Sequence, residues 1–324
     1  MQNVDELRTQ FLQYLEKNRF TQEPQRLYDP VNYILSIGGK RMRPVLLLLA
    51  CRMFQDDVTD ALPAAFAIEI FHNFTLLHDD IMDDAPLRRG KATVHEKYNT
   101  NTAILSGDVM MIYAYEYLAK SPAPLISELL GSLNRAAIGV CEGQQYDINF
   151  ETAENVELSE YILMIEYKTA VLIAGAMQIG ARIGGASEAD AQHVYNFGRD
   201  VGIAFQLQDD ILDTFGDPKK FGKKVGGDIV QNKKTFLTIK TLELADANDT
   251  QNLHQLMQTT PPDEATKIQK VKDLYEKYNI RSIAEKQMNT YLEKALHHLD
   301  AVSVADNRKT EIRELARYLI NRQV

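Results

Sequence analysis

Two clusters of aspartates with the same spacing are the residues of this sequence best suited to chemistry. At roughly 100° per helical residue, the carboxylates of the first cluster fall within an arc of about 100° on one face of a helix. Carboxylates placed so closely repel one another unless they are fully solvated or hold a multivalent cation. The clusters are Asp79, Asp80 and Asp83, and Asp209, Asp210 and Asp213.

The residues before each cluster favour a bound cation. Residues 64–77 are too apolar for a surface helix and predict a buried wall, so the first cluster lies at the mouth of a core helix. The second cluster also ends an apolar helix and is followed by a basic loop. Hard oxygen ligands with room for water suit Mg²⁺, which completes its shell with water and substrate phosphates. One cluster alone would leave a solvated acidic helix end equally open, but two in one chain favour the metal.

Cationic residues lie near these clusters in the sequence. Arg88 and Arg89 follow the first cluster and could hold phosphates. Residues 38–44, GGKRMRP, form a glycine turn that brings three cations to the start of an apolar helix, a pattern that can bind anions. On this turn alone, a helix corner with exposed basic residues is slightly favoured. Lys168, followed by Thr169 within an apolar helix, would ordinarily extend to the surface, and a ligand role stays open.

The composition excludes several classes of protein. The chain has 324 residues, 45% of them hydrophobic, and a net charge of −9, with no basic stripe that would bind nucleic acid. Cys51 and Cys141 lie in apolar helical stretches, so buried thiols in a reducing cytoplasm are expected. The longest apolar run, residues 45–51, is far below the ~20 residues that span a bilayer, and the acidic N-terminus lacks a signal-peptide pattern. A soluble protein, not an integral membrane protein, is expected.

The elements that position these residues are predicted to be helices, because apolar residues recur at helical spacing along most of the chain. Strand signals are nearly absent, with no alternating β-branched run and no Asn-Gly hairpin. Asp29 and Pro30 predict a helix start, and Ser187 predicts the start of the helix that carries the second cluster. The sequence therefore predicts an all-α chain with no domain linker, a single large bundle over residues 1–324. Helices are predicted at 4–20, 31–37, 45–54, 102–119, 123–149 and 158–185, with amphipathic helix from 236 onward and a main break at Pro261-Pro262.

Both aspartate clusters, the GGKRMRP turn and the Arg88-Arg89 pair, in this order, resemble the trans-isoprenyl diphosphate synthases, or polyprenyl synthetases, as far as Thr235. The resemblance implies a helical bundle of the isoprenoid synthase type with a central active-site cavity. It implies head-to-tail condensation of isopentenyl diphosphate with an allylic diphosphate (dimethylallyl, geranyl or farnesyl) by Mg²⁺-assisted ionisation. It also implies a homodimer and three Mg²⁺ ions when substrate is bound.

The resemblance also implies roles for individual residues. The diphosphate of isopentenyl diphosphate would bind Lys40, Arg43, His72 and Arg89. The allylic diphosphate would bind Arg88, Lys168, Thr169, Gln206, Lys224 and Lys233, of which Lys168 and Lys224 also count as catalytic. The principal Mg²⁺ ligands would be Asp79, Asp83 and Asp209, supported by Asp80, Asp210 and Asp213. Metal ions and fixed cations neutralise a departing diphosphate without proton transfer, so the chemistry agrees with these roles.

Product length depends on the side chain that closes the pocket beneath the first cluster. Thr75 and Phe71 share the helix stripe of Asp79, and each ~5.4 Å turn is comparable to one C5 unit. Phe74 is the position that the family uses as a floor, yet an ideal helix puts it ~140° from Asp79, so its role is implied by resemblance. Phe74 followed by small Thr75, with only two residues between Asp80 and Asp83, favours C20 geranylgeranyl diphosphate. Phe71 beneath Phe74 instead favours C15 farnesyl diphosphate.

Three other functions are weighed against this one. A terpene cyclase shares the ionisation step but needs neither the GGKRMRP turn nor a second aspartate cluster of this spacing. A noncatalytic regulatory subunit of a prenyl synthase would be free to lose carboxylates, and none is missing. A plain divalent-ion scaffold leaves the paired arginines and Lys168 unexplained.

Overall fold

The computed structural model of the protein describes residues 2–216, 225–258 and 263–321, and these are almost entirely helical. The predicted all-α class is confirmed. The helices are α1 (Gln2–Lys17), α2 (Gln25–Ser36), α3 (Met42–Arg52), α4 (Leu62–Met82), α5 (Val94–Lys97), α6 (Thr100–Leu118), α7 (Ile126–Thr152), α8 (Leu158–Ile165), α9 (Val171–Ile183), α10 (Glu188–Phe215), α11 (Gly227–Val230), α12 (Phe236–Leu244), α13 (Ala247–Gln258), α14 (Glu264–Lys277), α15 (Ile280–Ala301) and α16 (Asp306–Asn321). Short 3₁₀ turns lie at Thr59–Ala61 and Ala123–Leu125, a π turn at Glu166–Ala170, and two strands at β1 (Leu87–Arg88) and β2 (Lys91–Ala92).

The chain divides into two compact units. Unit 1 comprises Met1–Arg135, Gly175–Tyr195 and Val302–Ile312. Unit 2 comprises Ala136–Ala174, Asn196–Ala301 and Arg313–Val324. The first aspartate cluster and the GGKRMRP turn belong to unit 1, and the second cluster belongs to unit 2. The single domain predicted for residues 1–324 stays a prediction.

Helix α4 is the centre of unit 1. It packs mainly against α6, and also against α1, α2, α3 and α5. Every residue from 64 to 71 is buried, so this part of the predicted apolar wall is confirmed. Burial ends near the last turn, where Asp79 is half-buried and Asp83 is exposed. The core helix therefore brings the first aspartate cluster to its own C-terminal end.

The start of α2 corrects one prediction. The helix begins at Gln25, after Pro24, and Pro30 lies inside it rather than at its first position. The apolar spacing of Leu27, Val31 and Ile34 extends upstream of the proline, and burial of Pro30 and Val31 offsets the one backbone hydrogen bond that the ring removes. The predicted stop is confirmed, because α2 ends at Ser36.

A small hairpin lies between α4 and α5, directly after the first cluster. Strands β1 and β2 are antiparallel, with Arg88 opposite Lys91. The turn residues Arg89 and Gly90 both have positive φ, 53° and 76°, which matches the twist of a two-residue hairpin. Arginine is not a usual residue for that conformation, so the residue types at this turn do not indicate a hairpin.

In unit 2, α12 packs against α8, α13, α14 and α15. The helix predicted from residue 158 is interrupted by the π turn, which contains Lys168 and Thr169. The stretch Leu158–Ile183 is rich in apolar residues, so the shift of helical phase that an inserted residue causes could not be recognised from the apolar pattern. An added Cβ on Gly143 of α7 would lie 2.2 Å from the backbone nitrogen of Lys168. The glycine therefore lets α7 pack directly against the π turn.

The predicted start of α10 is confirmed. Ser187 Oγ accepts the backbone N–H of Asp190 at 3.1 Å and donates to Asp190 Oδ2 at 2.9 Å. The second cluster lies near the C-terminal end of this helix. The loop predicted after it contains the short helix α11, while residues 217–224 lie outside the described residues. Later helices end at Leu244, Lys277 and Ala301, so the C-terminal part has more breaks than predicted, and Pro261-Pro262 lies outside the described residues.

The prediction that both cysteines are buried is wrong for one of them. Cys51 is buried and Cys141 is exposed, because Cys141 falls on the polar side of α7; neither forms a disulfide. Among the described residues, one helical stretch, Leu158–Ile183, is long and apolar enough to cross a membrane, and 61% of its apolar window is buried inside the protein. Core helices of soluble proteins pass the same test, so this stretch is weak evidence for a membrane span.

Candidate metal and diphosphate sites

The three aspartates at the end of α4 have different surroundings. Asp80 is buried, and Arg88 Nε donates to its two oxygens at 2.9 and 2.8 Å. Asp79 and Asp83, one turn apart, lie at the more accessible end of the helix. The middle aspartate is thus held by the protein, while the outer two are better placed for a ligand.

The second cluster repeats this arrangement. Asp210 is buried; Tyr161 donates its hydroxyl to Oδ2, and Gln206 Nε2 donates to Oδ1 at 3.3 Å. Burial, and then the charge of Asp228, raises the pKa of Asp210 to about 8. Asp209 and Asp213 are half-buried, and Asp213 Oδ2 accepts the backbone N–H of Asp228 at 3.0 Å. Again the middle carboxylate is the buried one that side-chain donors hold, while Asp213 accepts a backbone N–H.

The donor set fits Mg²⁺. The outer aspartates of each cluster supply hard carboxylate oxygens at i and i+4, and Mg²⁺ is usually bound by one or two carboxylates plus water and phosphate oxygens. Within the described residues, three or more His, Cys, Asp or Glu side chains do not come together in a group able to hold an ion by themselves.

A cationic group in unit 1 surrounds His72. Arg43 Nη1 lies 3.1 Å from His72 Nε2. Burial, followed by the charges of Arg43, Arg89, Arg88 and Arg41, holds the pKa of His72 well below its usual 6.5, so the neutral ring accepts this hydrogen bond. Burial lowers the pKa of Arg43 to about 10, and its buried Nε has no hydrogen-bond partner. A buried donor without a partner is what an anion would satisfy.

Arg89 connects the hairpin with the glycine turn. Its Nη1 donates to the carbonyl oxygen of Gly38. Burial, and then the charge of Arg41, lowers the pKa of Arg89. Lys40 is exposed on the same turn. The structure therefore brings Lys40, Arg43, His72 and Arg89 to one region of unit 1.

In unit 2 the π turn and α10 share a row of hydrogen bonds. Thr169 Oγ1 donates to Gln206 Oε1 at 3.3 Å, and Gln206 continues the row to Asp210. Lys168 is partly exposed and donates its ammonium to Asp147 Oδ2. The π turn thus places these two predicted ligands beside the second cluster.

Two lysines predicted to bind the allylic diphosphate follow α10. Lys233 Nζ lies 3.9 Å from Asp228 Oδ1, next to the backbone that contacts Asp213. Lys224 lies outside the described residues.

Several residues of these sites were missed from the sequence. Glu69 is a single acid within an apolar run, and a charge in such a run must be paired; this signal was present. Tyr161 lies on the buried face of α8, where a hydroxyl needs a hydrogen-bond partner. Helical spacing alone could not show that this partner is Asp210. Asp147 carried no signal. The missed residues are Arg41, Glu69, Asn73, Asp147 and Tyr161.

The residues predicted to set chain length form an aromatic column on α4. Phe71 is fully buried and Phe74 is half-buried, with ring centroids 5.5 Å apart in a T-shaped pair. Phe74 makes a second T-shaped contact with His78 at 4.8 Å. Thr75 donates its hydroxyl to the carbonyl oxygen of His72 at 2.8 Å.

Comparison with known proteins agrees with this fold. Residues 24–277 match the family described as Polyprenyl synthetase. The chain is 37% identical over 305 residues to the geranylgeranyl pyrophosphate synthase of Geoglobus acetivorans, covering 93% of this chain and 92% of the relative. It is 42% identical over 236 residues to the geranylfarnesyl diphosphate synthase of Natronomonas pharaonis, covering 67% and 69%. A crystal structure of a geranylgeranyl pyrophosphate synthase superposes with a TM-score of 0.94 at 42% identity, covering 99% of both chains.

The chain belongs to the polyprenyl synthetase family. It is a trans-prenyltransferase of the short-chain type. The resemblance stated from the four motifs is confirmed, while the roles of individual residues stay predictions.

Proposed function

We propose that the protein condenses isopentenyl diphosphate with an allylic diphosphate, head to tail, to give C20 geranylgeranyl diphosphate. The observation that carries this proposal is the repeated arrangement of the two clusters. In each, the middle aspartate is buried and held by side-chain donors of the protein, and the outer two, at i and i+4, are more accessible. Two such carboxylate pairs, each accompanied by fixed cations, suit a reaction in which diphosphate leaves.

The isopentenyl diphosphate site is proposed at Lys40, Arg43, His72 and Arg89. Arg43 offers the buried Nε that lacks a partner, and His72 holds the Arg43 guanidinium through Nε2. Arg89 is fixed against the glycine turn, where exposed Lys40 adds a further cation. Together they offer donors and positive charge to one diphosphate.

The allylic site is proposed at Arg88, Lys168, Thr169, Gln206, Lys224 and Lys233. Asp79, Asp83 and Asp209 would hold Mg²⁺, three ions with substrate bound, and Asp80, Asp210 and Asp213 would support them. Bound Mg²⁺ supplies positive charge that stabilises the departing diphosphate. Arg88 and Lys168 add charge that is already oriented by Asp80 and Asp147, so little reorganisation is needed as the bond to carbon breaks.

Product length is proposed to be limited on α4. Phe74 is half-buried beside Thr75, which supports a C20 product, and the geranylgeranyl synthase of Geoglobus acetivorans is a relative over nearly the whole chain. Phe71 directly behind Phe74 supports C15 as the alternative. The Natronomonas pharaonis relative is named for a geranylfarnesyl product, so a longer product is a third outcome of the test.

The protein is proposed to act as a soluble cytoplasmic homodimer, without binding nucleic acid. Four large apolar side chains of α6 are exposed in the single chain. They form two neighbouring pairs, and the pairs are seven residues apart, so all four lie on one face of the helix. Their exposed fractions range from 38% for Met111 to 62% for Ile112. A second copy of the chain would bury this stripe, which consists of Ile104, Leu105, Met111 and Ile112.

The test incubates the purified protein with Mg²⁺, isopentenyl diphosphate and each allylic diphosphate in turn. Pyrophosphate release and a C20 alcohol after dephosphorylation are expected. Pyrophosphate and a cyclic hydrocarbon from an allylic diphosphate alone would instead indicate a terpene cyclase. No turnover with any pair of substrates would contradict the proposal and favour a noncatalytic subunit or an ion-binding scaffold.

A further inference from the structure

We propose that Arg41 is a positioning residue, held by Glu69 and Asn73, that fixes the glycine turn and Arg43 in the geometry that binds isopentenyl diphosphate. This inference rests on the proposed function, because it assigns a cause to the geometry of that site. The cluster of Arg41, Glu69 and Asn73 lies entirely within unit 1 and is called here the buried anchor.

Arg41 joins two helices through one buried side chain. It precedes α3 with φ of 51°, a left-handed conformation that is strained for a residue with a long side chain. Its side chain is only 5% exposed. Nη1 donates to Glu69 Oε1, and Nη2 donates to the carbonyl oxygen of Leu35 in the last turn of α2. That carbonyl belongs to the last turn, whose oxygens have no partner within the helix, so Arg41 closes the end of α2 and begins α3.

Glu69 is itself held in place. It is 3% exposed on α4, and Asn73 Nδ2 donates to its Oε1 at 3.0 Å and to its carbonyl oxygen at 2.8 Å. A buried ion pair is well defined only when further hydrogen bonds satisfy the carboxylate. The anchor therefore starts from α4, the central helix of unit 1, and ends at the glycine turn.

Packing alone does not fix this turn. A cavity of about 430 Å³ lies against Gly38, Gly39 and Arg41, and its other wall includes apolar residues of α1. On Gly39 an added Cβ would lie 2.4 Å from Arg89 Nη1, so the guanidinium of Arg89 rests directly on the turn. The position of the turn thus depends on the hydrogen bonds of Arg41 and Arg89 rather than on a filled core.

The anchor also acts on Arg43, in the first turn of α3. Arg43 faces Glu69, His72 and Arg89. The Glu69 carboxylate favours the charged form of Arg43, against the burial and the charge of Arg89 that lower its pKa. Glu69 therefore balances the positive charge that the site would offer to a diphosphate.

The test compares Arg41→Met with Arg19→Met. Arg19 borders the same cavity, but it is 56% exposed and pairs with Glu16 on the surface. Arg19→Met should therefore leave both KM values and kcat unchanged. Loss of charge-assisted bonds at Arg41 should raise the KM for isopentenyl diphosphate about 10-fold. The KM for the allylic substrate and kcat should stay within about twofold. An unchanged KM for isopentenyl diphosphate, or equal increases for both substrates, would overturn the inference.

A double variant separates positioning from stability. Arg41→Met leaves Glu69 buried and unpaired, and adding Glu69→Gln removes that charge, so thermal stability should recover. The raised KM for isopentenyl diphosphate should persist, because the turn still lacks its anchor. A KM that returns to the wild-type value together with stability would show a merely structural role. If Arg41→Met does not fold, Asn73→Ala, which removes one bond to Glu69, should raise the same KM about threefold, and no increase would overturn the inference.

Arg43→Ala is measured alongside these variants. If it raises the KM for isopentenyl diphosphate while Arg41→Met does not, the site is correct and only the anchor is wrong. If Arg43→Ala leaves that KM unchanged, the proposed site fails and the anchor fails with it.

Discussion

Arg88 donates from Nε to both oxygens of Asp80, at 2.9 and 2.8 Å, and its Nη2 lies 2.7 Å from Oδ1. The pair joins the end of α4 to strand β1 of the hairpin that follows it. Asp80 therefore orients a guanidinium proposed to bind the allylic diphosphate, and its own oxygens are largely occupied. The three aspartates of the first cluster should accordingly respond differently to mutation.

The first prediction concerns this difference. Asp79→Ala and Asp209→Ala should each lower kcat by at least about 100-fold, because each removes a proposed Mg²⁺ ligand. Their free energies of unfolding should change by only about 0.5 kcal/mol, since these carboxylates are not part of the core. Asp80→Ala should lower kcat and also cost about 2 kcal/mol of stability, because it breaks a buried ion pair whose arginine is partly exposed.

Turnover and urea unfolding of the three variants check this prediction. Asp84→Asn is the matched control, because Asp84 is an exposed carboxylate directly after the cluster and asparagine tolerates its positive φ of 48°. Wild-type rates in both Asp79→Ala and Asp209→Ala would contradict the metal assignment.

A second prediction separates the two diphosphate sites. Arg43→Ala should mainly raise the KM for isopentenyl diphosphate, because Arg43 carries the buried unpaired Nε. Lys168→Ala should mainly raise the KM for the allylic substrate, and it also leaves Asp147 without its cation. Steady-state kinetics with each substrate varied in turn measure both effects. Equal weakening of both substrates by each variant would show that the two-site assignment is wrong.

The positions of the core helices, and of the aspartate clusters at their ends, could be predicted from the sequence because both depend on local residue spacing. Apolar periodicity places α4 and α10 in the core, and the same periodicity places the aspartates at their C-terminal ends. It could not show that Asp80 and Asp210 turn inward. Ideal helical geometry treats the three aspartates of a cluster as one face, whereas their partners, Arg88 and Tyr161, come from other elements of the chain.

The features missed from the sequence share a physical cause. The π turn at Lys168 lies within a stretch so rich in apolar residues that its shift of helical phase is not visible in the pattern, and the Arg89-Gly90 hairpin uses a residue that seldom adopts positive φ. The start of α2 lies upstream of the predicted one because burial around Pro30 outweighs the preference of proline for the first helical turn. Where tertiary contacts override local preference, residue spacing alone does not reveal the outcome.

A third prediction follows from the lowered pKa of His72. In the folded protein this pKa lies well below 6.5, and in the unfolded chain it is near 6.5. Between these values the unfolded chain binds a proton that the folded protein does not, so stability falls as pH falls below about 6.5 and is unaffected above it. Between pH 6.5 and 5.5, wild type should lose about 1 kcal/mol more than His72→Asn.

Urea unfolding at pH 7.5, 6.5 and 5.5 measures this difference. His297→Asn, an exposed histidine of α15, is the control for removing a histidine as such. Parallel stability curves for wild type and His72→Asn across this range would argue against a neutral, buried His72.

A fourth prediction concerns the exposed stripe on α6. Leu105→Asp and Ile112→Asp place charges at the two most exposed positions of the stripe, 60% and 62%, where a second copy would bury them. Light scattering at micromolar concentration should change from a dimer to a monomer near 36.8 kDa. Leu244→Asp, at a leucine 45% exposed on α12, is the control and should remain dimeric. A wild-type monomer would contradict the homodimer outright.

The last prediction concerns product length. Phe74 and Phe71 are three residues apart on α4, a rise of about 4.5 Å, which is close to the length of one C5 unit. If the half-buried ring of Phe74 is the floor, Phe74→Ala should extend the product from C20 to about C25, where Phe71 stops it again. If Phe71 is the floor, Phe71→Ala lengthens the product instead, at a stability cost of about 3 kcal/mol because that ring is fully buried.

Chromatography of the dephosphorylated products distinguishes these outcomes. Phe66→Ala is the matched control, because Phe66 is also a buried phenylalanine of α4 but packs against Tyr117, with centroids 4.6 Å apart, rather than against Phe74. It should lower stability without changing product length. Phe74 and Phe71 form one T-shaped pair, so removing the ring that limits product length opens space for a longer chain. An unchanged product from both Phe74→Ala and Phe71→Ala would therefore place the floor elsewhere.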